Sequence, residues 1–377
     1  MKNLVEQATI WLRTEQCCKG NILDRTNAII SLFREYVKQE REEICANTSS
    51  SYNIVKNRID LAEKSINQIL SAFLRGNQEE ALQKTREMTR KMKFTNVLTR
   101  TQFYRCRENS KPFHFSKDEM FHIPYDKRYL VGNQRFSLSG IPCLYFGGSS
   151  YICWEELGRK DFSTINYCGF SLIKELNMFD MLIPISITDI HQIRRIVLVL
   201  ACSLAAHREH LFKPEYILPQ CVLHSLINRS FYSHTQFCIR YYSSHLLNGD
   251  ADYFKCDYSS KEELSRYVNY VFPAASSKED GYSEELRELF NQTETISLMH
   301  ETLLDPSCMM GACSKDIYLD SQFGLVDAII DKKLGFKPKR EEGNIRIDKK
   351  LGFNPKREEG NISIDKNIMV EHIPNDD

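Results

Sequence analysis

Apolar positions in the first 95 residues recur at helical spacing. Val55, Ile59, Ala62, Ile66, Ile69 and Phe73 step by three and four, along one stripe of a helix. Ile29, Ile30, Phe33, Tyr36 and Val37 form an earlier stripe, with Asp24 or Thr26 placed to cap its start. A third helix, from Ala81 to Met92, follows the break at Gly76-Asn77, and the polar run Thr48 to Ser51 reads as a loop. The pattern predicts an all-α interaction or regulatory region over residues 1–95. It contains no histidine, the first being His114, so chemistry is expected further along.

From about residue 97 the segments become short and rich in aromatics, glycine and proline. Ile141 to Phe146 is an apolar run closed by Gly147-Gly148, which predicts a buried strand and a turn. Phe170 to Ile185 holds one or two further strands, and Phe237 to Tyr242 another. Ile193 to His207 and Pro214 to Ile227 read as helices. Short strands mixed with helices predict an α+β domain over residues 97–275, then a helical or irregular extension over 276–329. Beyond residue 330 the chain repeats itself. Lys332-Lys333-Leu334-Gly335-Phe336 returns as Lys349-Lys350-Leu351-Gly352-Phe353, a period of 17 residues. Two copies are too few for a solenoid. The high charge and few apolar residues predict a disordered tail over 330–377, with a duplicated docking motif as the functional alternative.

Composition narrows the class. Of 377 residues, 42% are hydrophobic and 27% charged, and 50 Lys plus Arg balance 50 Asp plus Glu. A zero balance gives no bulk attraction to nucleic acid or an anionic membrane, so neither is an expected partner. The longest apolar candidate, Ile196 to Ala206, is too short to cross a bilayer. The opening MKNLVEQATIWLRTEQ is interrupted by Glu6, Gln7 and Arg13 and does not read as a secretory signal, so a cytoplasmic, reducing setting is expected. There the thirteen cysteines read as free thiols. Neither Cys17-Cys18 nor Cys308 with Cys313 has a partner pair at zinc spacing, and the pair His207 and His210 lacks a third ligand, so no metal is expected.

Candidate chemistry concentrates between Phe103 and Gly158. Arg105, Arg107 and Arg135 follow aromatic or polar neighbours close to predicted strands, and a guanidinium fork matches phosphate oxygens; surface ion pairing is the other reading. Ser150 is a natural N-cap. The helix after it would carry Ile152, Cys153, Glu156 and Leu157 on one face, turning the Glu156 carboxylate inward, with Glu155 solvated on the side of Tyr151. An inward carboxylate needs a partner or a task.

Arg105, Arg135-Phe136-Ser137, the strand carrying Tyr145, Gly147-Gly148-Ser149-Ser150 and Trp154-Glu155-Glu156 occur in an order that resembles the RES domain family. Leu172 to Asp180, Lys213 to Gln220 and Ile239 to Ser243 extend the resemblance over residues 97–275. It implies a small split β-core with surrounding helices, similar to ADP-ribosyltransferases, and the activity of a bacterial toxin or defence effector that consumes NAD⁺ by breaking the nicotinamide–ribose bond. NAD⁺ would be substrate, with no cofactor and no metal. The implied site is Arg105 and Ser243 for NAD⁺ binding, with Glu156, Arg135 and Tyr145 catalytic. Glu156 would stabilise positive charge at the anomeric carbon, the arginines would grip the pyrophosphate, Tyr145 would stack on nicotinamide and Ser243 would bond the ribose. The implied partners are a helix-turn-helix antitoxin, or the N-terminal helices acting in cis, and a second copy of the chain. Cys106 stands where the family often has an aromatic residue, so Arg107 could share the role of Arg105. Glu155 against Glu156 and Ser243 against Ser244 stay open, as does hydrolysis against phosphorolysis. Two rival readings are a non-catalytic nucleotide-sensing interaction protein and an RNA nuclease. The second would use Arg240 and His245, although Arg240 begins a strand-like run where that motif belongs on a helix.

Overall fold

The predicted helical stripes fold into six helices: α1 (Leu4–Leu12), α2 (Glu15–Cys18), α3 (Ile22–Gln39), α4 (Arg41–Thr48), α5 (Tyr52–Leu74) and α6 (Gln78–Arg90). The structure is a computed structural model and describes residues 2–109, 115–207, 210–233, 236–249, 254, 256–297 and 317–337. All but the last of the stripe residues are buried: Ile29, Ile30 and Phe33 of α3 and Val55, Ile59, Ile66 and Ile69 of α5 are fully covered, whereas Phe73 is only half-buried. Helix α3 begins one turn earlier than expected, because Asn21 accepts the Asp24 amide as N-cap.

Nine strands form one mixed sheet among the described residues: β1 (Thr95–Val97), β2 (Gln102–Glu108), β3 (Cys143–Gly147), β4 (Ile165–Leu172), β5 (Leu176–Met181), β6 (Phe237–Tyr242), β7 (Val268–Pro273), β8 (Phe290–Gln292) and β9 (Ile296–Ser297). Their order is β1-β5-β6-β7-β3-β2-β4-β8, with β9 also on β4. Only β5 and β6 run parallel; the other pairs are antiparallel. The remaining helices are α7 (Ser150–Glu156), α8 (Gln192–Cys202), α9 (Ile217–Ser233), α10 (Ser244–Asn248), α11 (Lys261–Ser265), α12 (Glu284–Arg287), α13 (Ile317–Asp320) and α14 (Gln322–Lys333). The fold is α+β, as the alternation of short strands and helices predicts.

One junction in the sheet matters most. Strands β2 and β3 share a single register pair, Tyr104 with Gly147. The sheet is therefore two halves, β1-β5-β6-β7-β3 and β2-β4-β8 with β9, joined at one point. Below the junction Phe103, Phe146, Phe170, Phe272 and Phe290 interlock edge to face or offset, with Phe146 and Phe170 centroids 4.6 Å apart.

Helix α5 packs on α3, α6, α8 and α9, so the N-terminal helices share a core with the helices of the sheet region. Residues 1–340 form one compact unit, within which the expected boundaries at 95 and 275 fall. The 276–329 segment supplies two strands, β8 and β9, and much of α14. Residues 330–333, expected to begin the tail, instead end α14, with Ile330 and Asp331 buried. A Cβ at Gly169 of β4 would stand 2.1 Å from Ile330 Cγ2, so a glycine here lets α14 lie flat on the strand. Residues 338–377, with the rest of the 17-residue repeat, lie outside the described residues.

Candidate active site

At the junction of the two half-sheets a cavity of about 430 Å³ opens, within the usual range for small-molecule sites. Strand β2 contributes Arg105 and Arg107, β3 contributes Tyr145, β6 Tyr241, β7 Asn269 and α7 Glu156.

Helix α7 is held by its first residues. Ser149, not Ser150, is the N-cap: its hydroxyl accepts the Ile152 amide and donates to the Arg266 carbonyl at 2.7 Å. Ser150, one position on, is buried and donates to the Phe323 carbonyl of α14. A Cβ on Gly147 would lie 2.5 Å from Ile152 Cγ2 and 2.7 Å from Cys153 Sγ, so only glycine lets α7 sit against the end of β3.

The expected burial of the two adjacent glutamates is reversed. Glu155 is 1% exposed and pairs with Arg159 at 2.8 Å, whereas Glu156 is exposed on the cavity wall. Both faces of this short helix are covered. Tyr151 meets Phe254, Tyr267 and Phe323 on the side predicted to be solvated. The face shared by Cys153, Glu156 and Leu157 looks into the cavity rather than into packed core. Glu156 is thus the one of the two carboxylates that reaches the cavity, by access and not by burial.

Two donors fix it. The Ser243 hydroxyl and the Asn269 amide each donate to Glu156 Oε1 at 2.6 Å. Ser243 is fully buried, caps α10 by accepting the His245 amide, and stands behind Glu156 rather than on the cavity lining. Ser243, and not Ser244, touches Glu156 among the described contacts, and its buried place behind the carboxylate corrects the expectation that Ser243 bonds the ribose directly. Oε2 has no partner among the described residues and is available to a ligand.

Arg105 supplies the opposite charge. Its guanidinium donates to the Tyr145 carbonyl at 2.8 Å and the Phe121 carbonyl at 3.3 Å, while its Nε is buried without a partner. No carboxylate pairs with it among the described residues. Burial, with the like charge of Arg107, lowers its pKa from the usual arginine range. Arg107 donates to the Glu119 carbonyl and lies 4.9 Å over the Phe115 ring. Both Arg105 and Arg107, the two alternatives left by the order of the motif, line the cavity.

Arg135 is not on this lining. It donates to the Cys202 and Leu204 carbonyls beyond the end of α8 and lies 5.4 Å over the Tyr216 ring. This segment reaches the cavity lining through Gln134 and Ser137, and the Phe136 carbonyl accepts the Tyr145 hydroxyl at 2.6 Å. The expected pyrophosphate grip by Arg135 therefore needs correction, because its side chain is committed to the far side of Phe136 and Tyr241. Tyr241 separates the two, with charge from Glu156 and from Arg135 acting on its hydroxyl in opposite directions.

Sequence reasoning missed Asn269 and Tyr241. Asn269 interrupts the otherwise apolar and aromatic strand β7, which was the signal available. Of the thiols in the cavity, burial pushes Cys143 up to about 12 and raises Cys106 as well, which disfavours the nucleophilic thiolate at both. Among the described residues no group of three or more His, Cys, Asp or Glu is placed to hold a metal ion, and no helix is long and apolar enough to cross a membrane. Arg240 sits on β6 in a two-pronged ion pair with Asp180, and His245 is buried on α10, so the two do not form a nuclease pair on one helix.

No family model matches the chain, and no solved structure matches it. Among curated proteins it is similar to one of Bacillus subtilis (strain 168) described as "Putative toxin YopC", with 32% identity over 216 residues. The match covers 52% of this chain and 46% of that protein, so the chain spans about half the length of its curated relative.

Proposed function

We propose that the chain is a toxin-like enzyme that cleaves the nicotinamide–ribose bond of NAD⁺ in the cavity between the half-sheets. The observation that carries this reading is the pairing of one oriented carboxylate with unpaired arginine charge across a small-molecule cavity. Cleavage builds positive charge at the anomeric carbon, and a fixed carboxylate favours that state over the ground state. Ser243 and Asn269 hold Oε1 of Glu156, so its free oxygen meets the ribose without reorganisation. Arg105 and Arg107 take the pyrophosphate by charge-assisted hydrogen bonds. Tyr145, whose hydroxyl is tied to the Phe136 carbonyl, offers its ring to nicotinamide. The leaving group already carries a positive ring and departs as neutral nicotinamide, so Glu156 need not protonate it, while water bonds to the anomeric carbon and releases its proton to solvent, or phosphate bonds there in its place. The resemblance to RES domains and the toxin-named relative support the same reading.

The test is release of nicotinamide from NAD⁺ by the full chain. Glu156→Gln should reduce turnover by roughly 10³-fold or more while NAD⁺ still binds. Saturable NAD⁺ binding by the folded parent chain without any nicotinamide release would instead favour a nucleotide-sensing interaction protein.

A further inference from the structure

Strand alternation gives β6 and β7 two working faces. Tyr241 and Asn269 are register partners and both look into the candidate active cavity. Their neighbours Arg240 with Tyr270 and Tyr242 with Val268 are also register partners, and all four line a second cavity of about 420 Å³ on the opposite side of the same ribbon. This second cavity lies at the carboxyl ends of β5 and β6, the parallel pair, where ligands of mixed sheets commonly sit.

Its charge is unbalanced. Arg195, Arg240 and Lys261 face one carboxylate, Asp180, which Arg240 already engages at 2.9 and 3.0 Å. Among the described residues neither Arg195 nor Lys261 has an ion-pair partner, and the Arg195 Nε is buried with no hydrogen bond. Arg195 rises from the first turn of α8, whose amino end carries partial positive charge and opens on the same space through Gln192. Tyr242 and Tyr270 supply aromatic surface.

We propose that this cavity binds a phosphorylated small molecule of about mononucleotide size. The phosphate lies between Arg195, Lys261 and the start of α8, and the organic part lies against the tyrosines. The site is independent of the cleavage reading, because it uses none of the residues that line the first cavity.

The experiment is calorimetric titration of the full chain with AMP, repeated with inorganic phosphate as competitor, in the parent and in Arg195→Gln, Lys261→Glu and Arg105→Gln variants checked for folding by circular dichroism. The expected result is saturable AMP binding displaced by phosphate. It should weaken roughly tenfold or more in each of Arg195→Gln and Lys261→Glu and keep its strength in Arg105→Gln, since losing one charge-assisted contact has about that effect. Lys261 is exposed, so its variant separates lost binding from lost folding. No AMP binding to the parent at millimolar concentration, no displacement by phosphate, or loss through Arg105→Gln with Arg195→Gln and Lys261→Glu unaffected would each overturn the proposal.

Discussion

Glu156 owes its orientation to residues 87 and 113 positions further along the chain, and neither of them needs to touch substrate. On the proposed reading, Ser243 positions the Glu156 carboxylate without touching substrate. Its removal should lower kcat for NAD⁺ cleavage roughly 10- to 100-fold, the size of one hydrogen bond to a charged group, and leave KM nearly unchanged. Ser243→Thr, which keeps the hydroxyl, should restore most of the rate; a Ser243→Ala defect seen in KM alone would contradict the assignment. Arg105→Ala should do the reverse, raising KM with a smaller effect on kcat, as measured by the same nicotinamide assay. The resemblance to RES domains named Arg105, Tyr145, Glu156 and Ser243, and the structure brings Arg105, Tyr145 and Glu156 onto one cavity with Ser243 directly behind Glu156. Arg135 was misplaced because motif order does not say which side of Phe136 a side chain takes. Glu155 and Glu156 were exchanged in burial because the helix-face rule assumes one covered face, and α7 has two.

Helix α7 carries the site carboxylate, so what moves the helix moves the chemistry. Gly147→Ala puts a methyl into Ile152 and Cys153, and the helix must give way. Turnover should fall on the order of 10²-fold, the effect of displacing a reacting group by about an ångström, with the melting temperature lowered only modestly. The same first turn of α7 is met by α14: the Asp327 carboxylate accepts the Ser150 amide at 3.0 Å and the Tyr318 hydroxyl at 2.6 Å. Burial raises the Asp327 pKa to about 6 despite these bonds. The folded pKa lies above the unfolded one, so the folded chain holds an extra proton between about pH 4 and about pH 6 and loses stability as pH rises through that window. The cost is fully present at neutral pH. His122 acts oppositely, since burial lowers it to about 4 and its neutral ring favours the fold as pH rises. The clean measurement is therefore the stability difference between Asp327→Asn and the parent. It should move in favour of the variant between pH 4.5 and 7, and a flat difference would contradict the burial argument. No pattern in the sequence pointed to this contact, because residues 150 and 327 are brought together only by the seat of α14 on β4.

Across the whole molecule, the helical region and the sheet region are locked by a buried ion pair. Arg25 of α3 meets Glu215 just before α9, with both side chains 3% exposed or less, and Arg25 also bonds the Cys17 and Ala205 carbonyls. Breaking such a pair from one side leaves a bare buried charge. Arg25→Ala should cost about 3–5 kcal/mol in denaturant unfolding, while Arg25→Met with Glu215→Leu should recover most of it. Deleting residues 1–95 strips Glu215 of its partner and opens the faces of α8 and α9 that α5 covers. The shortened chain should fail to fold; a folded, active fragment would show that the helices are a separable regulator. The helical stripes and the α+β class could be read from periodicity, a local property. The junction at Tyr104 and Gly147 could not, because it depends on how β2 and β3 diverge after one pair.

The seat of α14 also sets an order of events during synthesis. The Asp327 group that meets the first turn of α7 is made 177 residues after Ser150. At about 5–20 residues per second, the ribosome releases it roughly ten to thirty-five seconds later. Until then the helix that bears Glu156 lacks one of its clamps, and a nascent chain carries the parts of the site without their final alignment.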